Sequence, residues 1–183
     1  MKKLSKLLYL MAVLVALVTT LSLTAAAAGE GNFTYMEGAD GLYITGYEGQ
    51  LPADLVFPSQ LDGQPVVGIT EFWVDGTGVK TVTIPDSIQK TYGLDFFRWE
   101  NLETVNFGAG VQSIGCGMFG DCFALKAVNV SPNNPNYYSI DGVVYNKDMT
   151  TLIVLPEGKT TVAQIPATVS DLSILTWNRR FYV

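Results

Sequence analysis

The chain has 183 residues, with 17 acidic against 11 basic side chains, a net charge of −6 and no histidine. Apolar residues make up 48% and charged residues 15%, the balance of a chain that buries a core. The lack of histidine removes Ser-His-Asp and Cys-His nucleophiles, histidine metal ligands and the usual general base.

The first 28 residues read as a leader. Met1-Lys2-Lys3-Leu4-Ser5-Lys6 is a basic start, and Leu7 to Val18 is an unbroken apolar run. Ala25 to Ala28, followed by Gly29, offers the small residues of a cleavage site. This is the three-part pattern of a secretory signal peptide. Thr19, Thr20, Ser22 and Thr24 break the run short of a spanning helix. Removing the leader's three lysines leaves 8 basic against 17 acidic residues. That balance disfavours nucleic acid and anionic lipid as partners, and no later stretch is long enough to span a membrane.

After the leader, Phe33 to Met36 and Leu42 to Ile44 read as a hairpin joined by Glu37 to Gly41. The expected organisation is a signal peptide over 1–28, a β-hairpin cap over 29–54, and a repetitive domain over 55–183.

The repeat is found by sliding the chain against itself by 23 residues. Val79-Lys80-Thr81-Val82-Thr83-Ile84 falls on Leu102-Glu103-Thr104-Val105-Asn106-Phe107, and that on Leu125-Lys126-Ala127-Val128-Asn129-Val130. Ile88 falls on Val111 and Phe96 on Phe119; counting back nine residues from Val82 puts Trp73 in the same aromatic slot. Phe57-Pro58, Ile84-Pro85, Phe107-Gly108 and Ile165-Pro166 mark the strand ends. A fixed period in the range of about 20–29 residues with this apolar pattern predicts a leucine-rich-repeat solenoid. Each coil would give a short strand with its apolar members inward, then a 3₁₀ or helical turn carrying an aromatic. Five strand sites are expected, at Phe57, Ile84, Phe107, Val130 and Ile165.

Between Val130 and Ile165 the spacing is longer than one period. Asp141-Gly142 is a type I′ turn signal between Tyr138-Ser139-Ile140 and Val143-Val144-Tyr145, and Leu152 to Leu155 supplies a third strand. A β-meander over about 133–158 is expected to project from the solenoid.

Val82-Thr83-Ile84-Pro85-Asp86-Ser87-Ile88 and the run Ile114 to Leu125 resemble the BspA-like leucine-rich-repeat family, as does Asn133 to Asp148. The resemblance implies a right-handed, mostly β solenoid in a bacterial exported or cell-surface protein. It further implies binding to another macromolecule and no catalysis in the repeats. The segment Tyr92 to Glu100 departs from the family pattern, and Thr176 to Val183 match it poorly.

Each chemical motif has a structural alternative. Gly115-Cys116-Gly117-Met118-Phe119-Gly120 spells G-x-G-x-x-G, with Asp141 downstream, but no strand–turn–helix context surrounds it. No cofactor and no metal is expected. Cys122 falls where the resembled family has a core cysteine, and Cys116 falls in a turn. An exported chain permits a disulfide between them, whereas one buried and one partly exposed thiol is the plainer reading. Asp86, Asp95, Glu100 and Glu103 could pair for glycoside hydrolysis, but read as a solvated acidic surface. Asn32-Phe33-Thr34 and Asn129-Val130-Ser131 are glycosylation sequons that the bacterial resemblance makes silent. Phe96 and Trp99 read as core. Phe97 is expected outside, and a sugar- or protein-binding patch is the functional alternative for this cluster.

The functional expectation is a non-catalytic interaction module of adhesion type. An accessory carbohydrate- or substrate-binding module of an exported hydrolase system is the alternative. The partner is a host or bacterial surface macromolecule, protein or glycan. The outward strand positions Thr81, Thr83, Thr104, Asn106, Ala127, Asn129 and Gln164 form the expected contact face. Leu172, Trp177 and Val183 take the core offsets of a last coil, and Arg180 falls on its buried position. The C-terminal end is therefore expected to fray or to self-associate.

Overall fold

A computed structural model describes residues 32–160 and 165–172, without the side chain of Cys116. The leader, Gln164, Trp177, Arg180 and Val183 lie outside the described residues.

The central element is a parallel sheet of β3 (Asp54–Val56), β6 (Thr81–Ile84), β7 (Thr104–Phe107) and β8 (Ala127–Val130). Thr81 pairs with Thr104 and Thr104 with Ala127, so the period of 23 is the register of the ladder itself. The first coil is longer, since Asp54 pairs with Thr81. Its extra residues form β4 (Gln60–Leu61) and β5 (Gln64–Ile69), which pair through Leu61 and Gln64. Val82, Val105 and Val128 are fully buried, as are Ile88 and Val111. Phe96 and Phe119 stack at 5.6 Å between centroids. The chain is thus a leucine-rich-repeat solenoid of about four turns with almost no helix. Each coil buries its apolar row only because the next coil covers it.

The N-terminal hairpin forms as expected from β1 (Phe33–Glu37) and β2 (Leu42–Tyr47). It joins the solenoid through β5, which runs parallel to β2. Phe33 packs on Phe57 of the first coil at 5.5 Å, so the hairpin covers that end of the core. Lys90 ties it to the second coil, donating to the Asp40 carboxylate at 2.9 Å and the Tyr43 hydroxyl at 2.7 Å.

Three expectations need correction. Phe72, not Trp73, fills the inward aromatic slot of the first coil: Phe72 is buried against Phe57, whereas Trp73 is 75% exposed. Between the first two coils the bridges Gly68–Lys90 and Phe72–Leu94 keep a spacing of 22, whereas Phe96 and Phe119 stand 23 apart, so counting nine back from Val82 stops one residue short of the inward aromatic. Glu71, with φ 50°, and the Trp73 N–H donating to the Glu71 carbonyl at 2.8 Å turn the indole outward.

The meander does not project. Its strands are β9 (Tyr137–Ile140), β10 (Val143–Asn146) and β11 (Leu152–Val154), in the order β11-β10-β9. Val144 and Val154 belong to the main core, while Val143, Tyr145 and Leu152 form a second cluster on the opposite side. The Val128 N–H donates to the Gly142 carbonyl at 2.9 Å, and the Val130 N–H to the Ser139 hydroxyl at 2.9 Å. The meander therefore stacks on the third repeat and covers the open edge of β8, which would otherwise present unpaired backbone groups. The turn itself is as read, with Asp141 at φ 50° and Gly142 at φ 73°.

Ile165 and Leu172, expected inward, are each 40% exposed, and the rest of the fifth strand site lies outside the described residues. Residues 165–172 lie along the meander, with Thr151 bridged to Asp171, and no described layer covers their outer side.

Candidate functional site

The strand period of two that buries Val82, Val105 and Val128 turns their neighbours outward on one face. The register then sets them in rows. Val56, Thr83, Asn106 and Asn129 form one, and Asp54, Thr81, Thr104 and Ala127 the other. Six of the seven residues expected from the sequence therefore share one surface; Gln164 is the seventh. Asp54 and Val56 extend that surface and are missed by the sequence reading, although Leu55-Val56-Phe57 carries the same in-out alternation. Val56 is an exposed aliphatic side chain at its end.

The first of these rows is ordered by its own side chains. The Asn129 amide donates to Asn106 Oδ1 at 3.0 Å, and the Asn106 amide to Thr83 Oγ1 at 3.4 Å. Each amide thus uses one donor along the row and keeps other polar valences for a partner. Within the two rows the one charge is Asp54, at the end of the second; the others stand at the borders. Lys126 pairs with Glu103 at 2.6 Å, which holds the Glu103 carboxyl below the usual carboxylate range. On the opposite border the Asp86 carboxylate accepts the Ala109 N–H at 2.6 Å.

The other motifs resolve into packing. Gly115 to Gly120 contains a 3₁₀ turn over Cys116–Phe119, with Met118 and Phe119 buried. Cys122 is a free thiol, fully buried, that donates to the Phe96 carbonyl at 2.9 Å, and burial pushes its pKa up to about 12. Trp99 is buried and Phe97 half exposed, as read. Glu103 and Asp86 are engaged at opposite borders of the sheet, and Asp95 accepts the Phe97 N–H at 2.9 Å. Among the described residues no cluster of His, Cys, Asp or Glu could hold a metal ion, and no helix is long and apolar enough to cross a membrane.

No protein-family model and no curated protein matches the sequence. Among solved structures, the chain is similar to a leucine-rich repeat protein from Bacteroides ovatus, at 24% identity and a TM-score of 0.46 over 54% of this chain and 28% of that one. It is also similar to a leucine-rich cell surface protein from Faecalibacterium prausnitzii, at 16% identity and a TM-score of 0.33 over 77% of this chain and 64% of that one. For a leucine-rich repeat protein from Eubacterium ventriosum the values are 19% and 0.36, over 76% of this chain and 53% of that one. The chain thus spans less than two thirds of each of these proteins.

Proposed function

We propose that this chain is a non-catalytic leucine-rich-repeat module, exported to the cell surface or beyond, that holds a macromolecular partner against its parallel sheet. The single observation that carries the reading is the ordered, uncharged row Thr83–Asn106–Asn129 on a backbone fixed by its own ladder. A surface already ordered loses little side-chain entropy on binding. The leader-like pattern of residues 1–28 supports export, and solenoids commonly present such extended faces to partners.

Size limits how the face works. Four strands span about 14 Å, counted as three gaps of about 4.8 Å, and four residues of strand cover about 13 Å. That patch is far below the roughly 800 Å² per partner of a stable complex. The sheet is therefore the centre of the contact, and the bordering side chains Lys80, Glu103, Lys126 and Asp86 form its polar rim.

A photo-cross-linking amino acid placed at Asn106, and separately at Tyr92 on the far side of the coil, tests this against extracellular-matrix proteins and bacterial surface extracts. Cross-links that form from position 106 and not from 92 support the reading. Cross-links from 92 alone contradict it.

A further inference from the structure

The far side of the first coil carries an exposed tryptophan that the packing does not require. Phe72 already fills the core position, and the turn at Glu71 holds Trp73 out at 75% exposure. Two depressions meet at this indole. One is an open groove of about 590 Å³ lined by Tyr47, Gln50, Asp75 and Thr77 among others. The second, of about 200 Å³, is lined with Asp95, Phe97 and Trp99. The larger lies within the volume range of ordinary small-molecule sites.

The polar groups there are held in place. Asp75 Oδ1 accepts both the N–H of Thr77, at 2.9 Å, and its hydroxyl. Those bonds from Thr77 keep the Asp75 carboxyl below its ordinary pKa, so it is an acceptor at neutral pH. The Asn101 amide donates to the Thr77 carbonyl at 2.7 Å and fastens this loop to the next coil.

We propose that Trp73 and the two depressions it divides bind a neutral oligosaccharide, with the indole as stacking platform and Gln50, Asp75 and Asp95 as partners for its hydroxyl groups. A pyranose ring has an apolar C–H face that covers an indole and a rim of hydroxyls that bond to carboxylates and amides. A chain of such rings lies across a ridge with one ring on either side, which suits two depressions sharing one tryptophan. No lysine or arginine lines either depression, which disfavours an anionic ligand. Arg98 already lies over the Phe97 ring at 5.0 Å, so this chain's own guanidinium occupies the cation-attracting aromatic face nearby. The site uses none of the outward residues of the parallel sheet and does not depend on the reading of that face.

The test titrates the purified protein with maltohexaose, cellohexaose, xylohexaose and mannohexaose by calorimetry and tryptophan fluorescence, with an Arg/Lys-rich peptide as a second probe. At least one oligosaccharide should bind. Trp73→Ala should weaken it by about tenfold or more, Gln50→Ala by several-fold, and Trp73→Tyr should retain most of it. Because Trp73 is exposed, the melting temperature of these variants should match the parent. No oligosaccharide binding at millimolar concentration, binding that survives Trp73→Ala, or Trp73-dependent binding of the basic peptide alone would each overturn the proposal.

Discussion

Trp99 fills the space that Gly76 leaves. The two stand 23 residues apart, at the same position of successive coils, and a Cβ at Gly76 would overlap the indole. The third member of the column is Cys122, so a bulky side chain is flanked by two small ones. The stack thus conserves volume between coils rather than within each.

Gly76→Ala should therefore destabilise the protein by about 1–3 kcal/mol through overpacking. Trp99→Leu should also destabilise it, by leaving a void. Combined, the two should cost less than their sum by about 0.5 kcal/mol or more, because the smaller residue makes room for the new methyl group. A urea-denaturation double-mutant cycle measures this; strict additivity would show that the two positions do not share one space.

Asn134 continues the apolar column of Ile88 and Val111 with a polar side chain that is fully buried. Its amide donates to the carbonyls of Gly108 at 3.2 Å and Val111 at 2.9 Å, and its Oδ1 accepts the N–H groups of Asn136 at 2.8 Å and Tyr137 at 3.0 Å. Asn134→Leu suits the column in shape but leaves those backbone groups unpaired. A loss of about 3 kcal/mol is expected. Asn134→Asp should be worse near neutral pH than in acid. A buried carboxylate facing two carbonyls has a raised pKa, so its cost grows as pH rises past the ordinary carboxylate range. Chemical denaturation at two pH values checks both variants.

Gly142 is the hinge between the meander and the sheet. Its φ is 73°, and an added Cβ would sit 2.6 Å from the Cβ of Ala127. Gly142→Ala should cost about 2 kcal/mol from left-handed strain and the close contact together. It should also loosen the cover over the β8 edge, seen as association that grows with concentration in light scattering. Asp141→Asn, which suits the turn and loses only the ion pair with Lys159, should stay monodisperse.

The buried Cys122 thiol has a folded-state pKa of about 12, against an ordinary value of 9.0. The folded state thus holds the proton more tightly than the unfolded chain. This contribution to stability is fully present below about pH 9 and is lost as pH rises toward 12. A charged thiol reagent should label Cys122 only on unfolding, with protection failing in strong alkali. Mass spectrometry of the peptide containing Cys122 reads this directly; rapid labelling at pH 8 of the folded protein would contradict the buried placement.

The strand rows were legible because the hydrogen-bonded ladder imposes the period that appears in the sequence. Val82, Val105 and Val128 repeat at the register of that ladder. The far side was less legible because between the first two coils its spacing falls to 22, as at Gly68–Lys90 and Phe72–Leu94. Phe72 thus lies beside Leu94 in the core while its neighbour Trp73 is exposed. The meander carried a readable signal. Val143-Val144-Tyr145 is an unbroken apolar run, which suits a strand covered on both faces better than one that projects. The role of Asn134 was missed although the period that sets Ile88 on Val111 also sets Val111 on position 134, because an amide there does not read as a core residue. The contact face was readable as far as alternation reaches. Its chemistry, a side-chain ladder through Asn106, emerges only when coils stack.

The central claim is that the outward sheet face holds the partner, and affinity measured on Asn106→Arg/Asn129→Arg tests it most directly. Both positions lie on the solvent side of the strands, so the fold and melting temperature should be kept. For a partner cross-linked from position 106, the double variant should bind at least about tenfold more weakly by surface plasmon resonance. Undiminished affinity in a variant with unchanged melting would contradict the claim and move the contact away from the sheet.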